Sequence, residues 1–496
     1  MALCRIKNVE QLKQHNVGEL GILIGLDRVP EGRCLREKMQ QIVVQNKAKE
    51  YNTELFNHWL PKNEELFFYI DGHVRIYYGY AANLPVKYIS RQKLCLNATT
   101  EYWVNDIQGL PYLVFMGALT EKMQDVIEQQ IIPELKASDS IKERIANKEK
   151  LLCTIVIDRE CYEPAFFQRL LEKHQTAVIT YRKNVKDKWD ENVFKSYVID
   201  VIGNKVTVLL CEQVVLLGGI EFREVRSLNE GGHQTAIITT NPTITIEQIA
   251  SKMFSRWSQE NFFKYLIADY DPIAIGFDKM IEYGTEKVSE TSKIVNPAYR
   301  KISSSIKKAT EKIRRQEAKF YTIVEQIHEA PLEKIPTLTP QQLKAKTALE
   351  SLKEAKAKLV TERLIIPTKI MLKDMPEEKR LNKLKTESKL FLNVIKMICY
   401  RAETNIFEII TPHFQKSHNE GRMLIKQLFS TPADIIPDAI ENTLTIGVNS
   451  LSTPRYNEVI NELCVILNQS ETIFPGTNLR LIYKCRASQT TKGKEF

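Results

Sequence analysis

The chain has 496 residues, a formal net charge of +9, 43% hydrophobic and 8% aromatic residues, and is too long for one compact core, so roughly two to four domains are expected. Its nine cysteines form no Cys-x-x-Cys pair and its eight histidines no His-x-x-x-His pair, which argues against a zinc ribbon or a disulfide framework and for a reducing cytoplasm. No apolar run reaches the roughly 20 residues of a membrane span, and Met1-Ala2-Leu3-Cys4-Arg5-Ile6-Lys7 has no signal-peptide core, so no membrane partner is expected.

Residues 1–60 read as a helical and linker segment, with an amphipathic helix over Arg33 to Ile42. Strands follow over Phe67 to Gly79, Lys87 to Leu96 and Glu101 to Met116, the last broken at Gln108-Gly109-Leu110-Pro111. Thr120-Glu121 opens a helix with Met123, Val126, Ile127 and Ile131 on its apolar face. A buried strand over 151–158, a helix from Pro164 to His174 and a strand from Ala177 to Tyr181 complete the run. Three antiparallel strands, a helix and then β-α-β match an RNase H-like mixed-sheet core, in which the first and fourth strands are neighbours. Residues 185–242 alternate like strands and read as a β-rich insertion. After it, Thr245-Ile246-Glu247 begins a helix expected to run on through Glu260. The catalytic domain is thus expected over 61–280.

Residues 281–420 read as a basic helical region. Within 281–400 there are 25 Lys/Arg and 15 Asp/Glu, so the remainder of the chain sums to −1. A surplus this concentrated is either a solvated helical surface or a surface for a polyanion. Ile302, Ile306, Ala309, Ile313, Gln316, Phe320, Ile323 and Ile327 form a 3-4 spaced seam of the coiled-coil kind. Pro331 to Pro340 breaks it, and a second helix with Leu349, Leu352, Ala355 and Leu359 is expected to fold back as a hairpin. A further helix spans about 376–410. Residues 421–496 form a small α/β segment, with strands at Leu444 to Val448 and Leu479 to Tyr483.

Three acids stand out. Asp71 ends the apolar run Leu66-Phe67-Phe68-Tyr69-Ile70, Asp158 ends Leu151 to Ile157, and Glu260 lies among Phe254, Trp257, Phe262 and Phe263. A carboxylate at the mouth of a buried strand is costly without a cation or partner. Singly, each has an ordinary explanation: a turn cap for Asp71, a surface pair with Arg159 for Asp158, an i,i+4 pair with Arg256 for Glu260. Together, on neighbouring strand ends and a later helix, they suit a two-metal phosphoryl-transfer site. With no histidine or cysteine cluster, such a site takes Mg²⁺ or Mn²⁺, two ions held by Asp71, Asp158 and Glu260. Lys264, one turn past Glu260, is within reach of a phosphate; His73 either orients a phosphate or makes an ordinary polar or solvent contact, the second being the commoner case. No Gly-x-Ser-x-Gly elbow and no Walker phosphate loop occurs.

Several blocks resemble a group of bacterial insertion-sequence DDE transposases. They are Tyr69-Ile70-Asp71-Gly72-His73-Val74-Arg75-Ile76-Tyr77-Tyr78-Gly79, Tyr88 to Leu96, Thr99 to Asp106, Asp158-Arg159-Glu160, Gly232-His233-Gln234-Thr235, Arg401-Ala402-Glu403-Thr404 and Phe474-Pro475-Gly476-Thr477. The resemblance runs over nearly the whole chain. It implies metal-dependent cleavage and strand transfer of double-stranded DNA at transposon ends and target. It also implies a catalytic triad of Asp71, Asp158 and Glu260. Related transposases carry Tyr-x-x-Arg before the third acid and a Lys seven residues after it; here Arg256 matches, while Met253 and Ile267 stand at the other two positions. Arg256, Lys264 and His73 become DNA-contacting residues, the partner is DNA bound by a homodimer, and the location is the nucleoid of a bacterial cytoplasm. Relatives look longer at the N-terminus, so a truncated copy is also expected, and the alternative function is an inactive remnant that only binds DNA and dimerises.

Overall fold

A computed structural model describes residues 1–486 apart from 7–8, 23–27, 62–63, 78–83, 90–92, 118–120, 271–284, 288–289, 291–292, 330, 332–334, 378–379, 385 and 415–417. The end of the first expected strand, part of the second, the helix-opening Thr120 and the 280/281 boundary lie outside the described residues. The chain divides into two compact units. One holds residues 1–79, 87–284 and 384–496; the other holds 80–86 and 285–383.

The larger unit is built on a ten-stranded mixed sheet. Helix α1 (Ala48–Trp59) precedes β1 (Phe67–Ile76), β2 (Val86–Ile89), β3 (Leu94–Asn105) and β4 (Pro111–Met116). Then come β5 (Cys153–Ile157) and β6 (Thr176–Tyr181), joined through the helix Pro164–His174. β3 lies between β1 and β4, antiparallel to both. β5 runs parallel to β1 on its other side, and β6 parallel to β5. The order β4-β3-β1-β5-β6 is that of an RNase H-like core, with the first and fourth core strands adjacent as expected. β5 and β6 are almost wholly buried. That explains why both are largely apolar rather than alternating, since parallel strands are covered on both faces.

The β-rich insertion forms where expected, as β7 (Lys195–Val201), β8 (Asn204–Leu217), β9 (Ile220–Leu228) and β10 (Gln234–Thr239). It continues the core sheet in the order β6-β10-β9-β8-β7, because β10 pairs antiparallel with β6. Helices cover both faces. Phe68, Ile70, Ile155 and Ile157 pack with Phe56, Ile127, Phe166 and Phe167 on one face. Tyr69 and Val156 pack with Ile249, Ala250 and Met253 on the other.

The expected single helix through Glu260 is two. α2 (Ile246–Phe254) starts at a capping box in which Thr245 and Gln248 exchange side-chain and backbone hydrogen bonds. A turn at Ser255-Arg256, with Ser255 fully buried, redirects the chain into α3 (Trp257–Tyr265). The redirection lets Phe262 and Phe263 pack against Trp103 and Val114 of the sheet, which one straight amphipathic stripe would not do.

The smaller unit is a helical hairpin of α4 (Pro297–Glu329) and α5 (Ile335–Ile365). Ile306, Ile313, Ala345 and Leu349 are buried between them, and Gln316, the one polar seam residue, donates to the Ala345 carbonyl at 3.3 Å. The second helix begins inside the proline stretch expected to break the chain, with Pro336 in its first turn, where a missing N–H costs nothing. Residues 293–295 pair antiparallel with 369–371 at the foot of the hairpin.

Helix α6 (Thr386–Ile410), grouped with the hairpin in the sequence reading, belongs to the larger unit. Its Val394, Met397 and Tyr400 complete the cluster around Trp103 and Phe262. The C-terminal segment is a three-stranded sheet covered by the helix Pro454–Gln469. Strands Thr443–Val448 and Arg480–Cys485 are parallel neighbours in it. Among the described residues, no helix is long and apolar enough to cross a membrane.

Candidate active site

The last registered pair of β1 and β5 is Ile70 with Ile157. Asp71 and Asp158 are the next residues of these two parallel strands. Side chains alternate along a strand, so both acids leave the sheet on the face of Tyr69 and Val156, the face covered by α2. β5 ends there, whereas β1 runs on to Ile76, with Asp71 opposite Trp103 and Gly72 opposite Tyr102 of β3, so Asp71 lies inside its strand rather than at the strand end expected from the sequence. Asp71 Oδ1 accepts from the Gly72 N–H at 2.8 Å. Asp158 caps a short 3₁₀ turn, accepting from the Arg159 N–H at 2.7 Å.

α3 is pinned over β1 beside Asp71. Gln259 is fully buried and donates its amide to the Tyr69 carbonyl at 3.0 Å and to Asn105 Oδ1 at 2.9 Å. Ser258 donates to the Ile107 carbonyl at 2.8 Å. Gly109 has φ +86°, and a Cβ there would lie 2.7 Å from the Ser258 carbonyl oxygen, so only glycine admits this approach. Tyr69 adds a hydrogen bond from its hydroxyl to the Lys252 carbonyl of α2.

This seating puts Arg256 between two of the acids. Its guanidinium is 3.9 Å from Asp71 Oδ2 and 2.8 Å from Glu260 Oε1. Burial pushes the Asp71 carboxyl up to about 6. Arg256 and the Gly72 N–H pull against that rise, while the charges of Asp158 and Glu160 add to it. Tyr181, at the end of β6, feels Arg256, Arg159, Asp158 and Glu260 together, and burial raises its hydroxyl. Arg159 lies over the Tyr181 ring rather than beside Asp158, 5.2 Å from the centroid.

The expected residues therefore divide. Asp71 and Asp158 share a face at adjacent positions, and Glu260 reaches Asp71 through Arg256. His73 stacks on Phe263 of α3, with 5.1 Å between ring centroids. Lys264 is exposed, its ammonium 5.6 Å from the Tyr265 ring centroid. The sequence reading passed over Gln259 and Asn105; the signal available was a glutamine among the aromatics of α3. Glu160, carried there only as part of a block, joins the local field.

A cleft of about 550 Å³ opens beside Gly72, bordered among others by Lys87, Thr100, Tyr102, Glu121 and Glu160. Burial lowers the Lys87 amine, and Glu160 and Glu121 act against it. Among the described residues, no three His, Cys, Asp or Glu side chains come close enough together to hold a metal ion. Asp71 and Asp158 offer the hard oxygen donors that Mg²⁺ or Mn²⁺ takes. Glu260 is held by the Arg256 guanidinium instead.

No curated protein matches the chain. Two solved structures show a limited likeness. One is a piggyBac transposase synaptic complex with hairpin DNA: 10% identity, 42% of this chain and 41% of that chain covered, TM-score 0.25. The other is the Marinitoga piezophila Argonaute with a 5′ OH guide RNA: 11% identity, 42% of this chain and 30% of that chain covered, TM-score 0.20. The aligned part is thus less than half of either known chain. The family model described as "Transposase protein" matches residues 1–487, and the chain belongs to that transposase family.

Proposed function

We propose that the protein is a DDE transposase that cleaves DNA at transposon ends and transfers the strand to a target. The observation that carries this reading is the placement of Asp71 and Asp158 one step beyond the Ile70–Ile157 pair, on one face, with Glu260 tied to Asp71 through Arg256. Asp71 and Asp158 would hold divalent Mg²⁺ or Mn²⁺, with Glu260 as the third ligand. When bound, two such ions activate the attacking oxygen and stabilise the departing one. The chain's own contribution is positional. Gln259 and Ser258 fix α3 over β1, Arg256 balances the carboxylates until a cation arrives, and Tyr181 lines the approach from β6. The substrate is double-stranded DNA, at transposon ends and target, in the nucleoid of a bacterial cytoplasm. The acting form is a homodimer on DNA.

The test is Mg²⁺-dependent nicking of duplexes carrying the element's own terminal repeats. Asp158→Asn is expected to lose nicking while still binding the duplex; equal nicking by both proteins would remove Asp158 from the chemistry. A second reading, a non-catalytic DNA-binding and dimerising protein, draws on the Arg256 pairing, which puts a cation of the chain's own beside Asp71 and Glu260. It is favoured if the wild-type chain binds DNA but neither Mg²⁺ nor Mn²⁺ supports any nicking.

A further inference from the structure

Arg300-Lys301, Lys307-Lys308 and Arg314-Arg315 recur every seven residues along α4. Seven residues are almost two turns of helix, so the three pairs form two rows about 10.5 Å per step, over about 21 Å. All six side chains are exposed, and among the described residues none is in an ion pair. The rows flank the back of the helix, away from the seam of Ile306, Ile313 and Gln316. The line between them carries Ser304, Glu311 and Ala318. Lys312 and Lys319 widen one row. Over 300–319 there are eight Lys/Arg and two Glu, and one of those, Glu317, is engaged by Lys353 of α5 at 3.0 Å.

Like charges in rows repel one another and cost helix stability. A merely solvated face interleaves both signs evenly; this one sets a single acid, Glu311, among its three basic pairs. Its composition also separates the polyanions. A membrane-surface helix sets Trp, Phe or Leu beside its basic residues, and a single-strand groove interleaves aromatics for base stacking. Between these rows there is neither. Lysines and arginines repeating along one helix face suit the phosphates of a duplex, contacted without reading its bases.

We infer that the back of α4 binds the phosphate backbone of duplex DNA through its three basic pairs, independently of sequence. This deepens the proposed DNA chemistry and rests on it for its partner.

The experiment compares the full-length chain with a variant in which Arg300, Lys301, Lys307, Lys308, Arg314 and Arg315 are all Gln. Binding to a random-sequence duplex is measured across a salt series, with circular dichroism checking that helix content is retained. A control carries Gln at Lys344, Lys346, Lys356, Lys358, Lys369 and Lys373, the same change in net charge elsewhere on the hairpin unit. The α4 variant is expected to bind at least about tenfold more weakly, with the slope of log K against log salt shallower by about 2 to 5; the control keeps most of its affinity. Equal losses in the two variants, or no change in slope, overturn the inference, as does a larger loss toward anionic phosphatidylserine vesicles than toward the duplex. Failure of the active-site reading shows separately, as nicking unaffected by Asp158→Asn while the salt slope still depends on α4.

Discussion

The buried Gln259 amide donates to the main-chain carbonyl of Tyr69, two residues before Asp71. A single side chain thereby couples the helix that bears Glu260 to the strand that bears the first acid. Replacing Gln259 with Leu leaves the Tyr69 carbonyl and the Asn105 side chain without this donor in a site that water does not reach. The expected loss is about 2–4 kcal/mol of stability in urea denaturation, with a larger proportional loss of nicking than of DNA binding. A change below about 0.5 kcal/mol would show that α3 is seated by its aromatics alone.

Gly109 and Gly203 make a matched pair. Both have positive φ, but a Cβ at 109 strikes the Ser258 backbone, whereas nothing lies within 4 Å of one at 203. Gly203→Ala is expected to cost only backbone strain, about 1 kcal/mol. Gly109→Ala is expected to cost at least about 2 kcal/mol more, and to displace the start of α3. Thermal denaturation of both variants decides; equal costs would mean that the Ser258 approach is not tight.

Arg256→Gln removes the cation shared by Asp71 and Glu260 while keeping a side chain of similar reach. In calorimetry with Mn²⁺ alone, the variant is expected to bind roughly three- to tenfold more tightly, because the ion no longer competes with a guanidinium. Unchanged or weaker Mn²⁺ binding would show that Arg256 does not occupy the ion's place.

The raised carboxyl of Asp71 makes metal-free stability depend on pH. Its folded pKa, about 6, exceeds the ordinary 3.8, so the folded state holds the proton more tightly than the unfolded one. Its stabilising contribution is full below pH 3.8 and is lost as pH rises through about 6, by about 3 kcal/mol at most. Asp71→Asn is expected to flatten that part of the profile. Urea midpoints from pH 4 to 7, in chelator, measure it, and a profile identical to wild type would place the titration elsewhere.

Asp71 and Asp158 were legible because a polar residue closing a long apolar run stands out whatever the register, although Asp71 lies inside β1. Strand order then made neighbours of Asp71 and Asp158 without knowledge of any contact. Three things were not legible. The turn at Ser255-Arg256 depends on Ser255 being buried by distant residues, which no local pattern encodes. The union of β10 with β6 depends on edge pairing, and alternation along β10 names no partner. α6 shows an apolar face, but that face does not say which unit it covers. The resemblance implies a DNA contact for Arg256, and the i,i+4 spacing implies its pair with Glu260; its approach to Asp71 depends on the bend between α2 and α3.

The Ile70–Ile157 register also sets how the gene can vary. Inserting or deleting one codon between Phe67 and Asp71, or between Thr154 and Asp158, would turn that acid to the opposite side of the sheet, among Phe56, Ile127 and Phe166. Point changes along these segments need only preserve a hydrophobic shape, whereas a change of length carries the acid away from its partner. Length variation is therefore expected to be confined to hairpin turns such as Gly203 and Gly218-Gly219, where the surroundings are open.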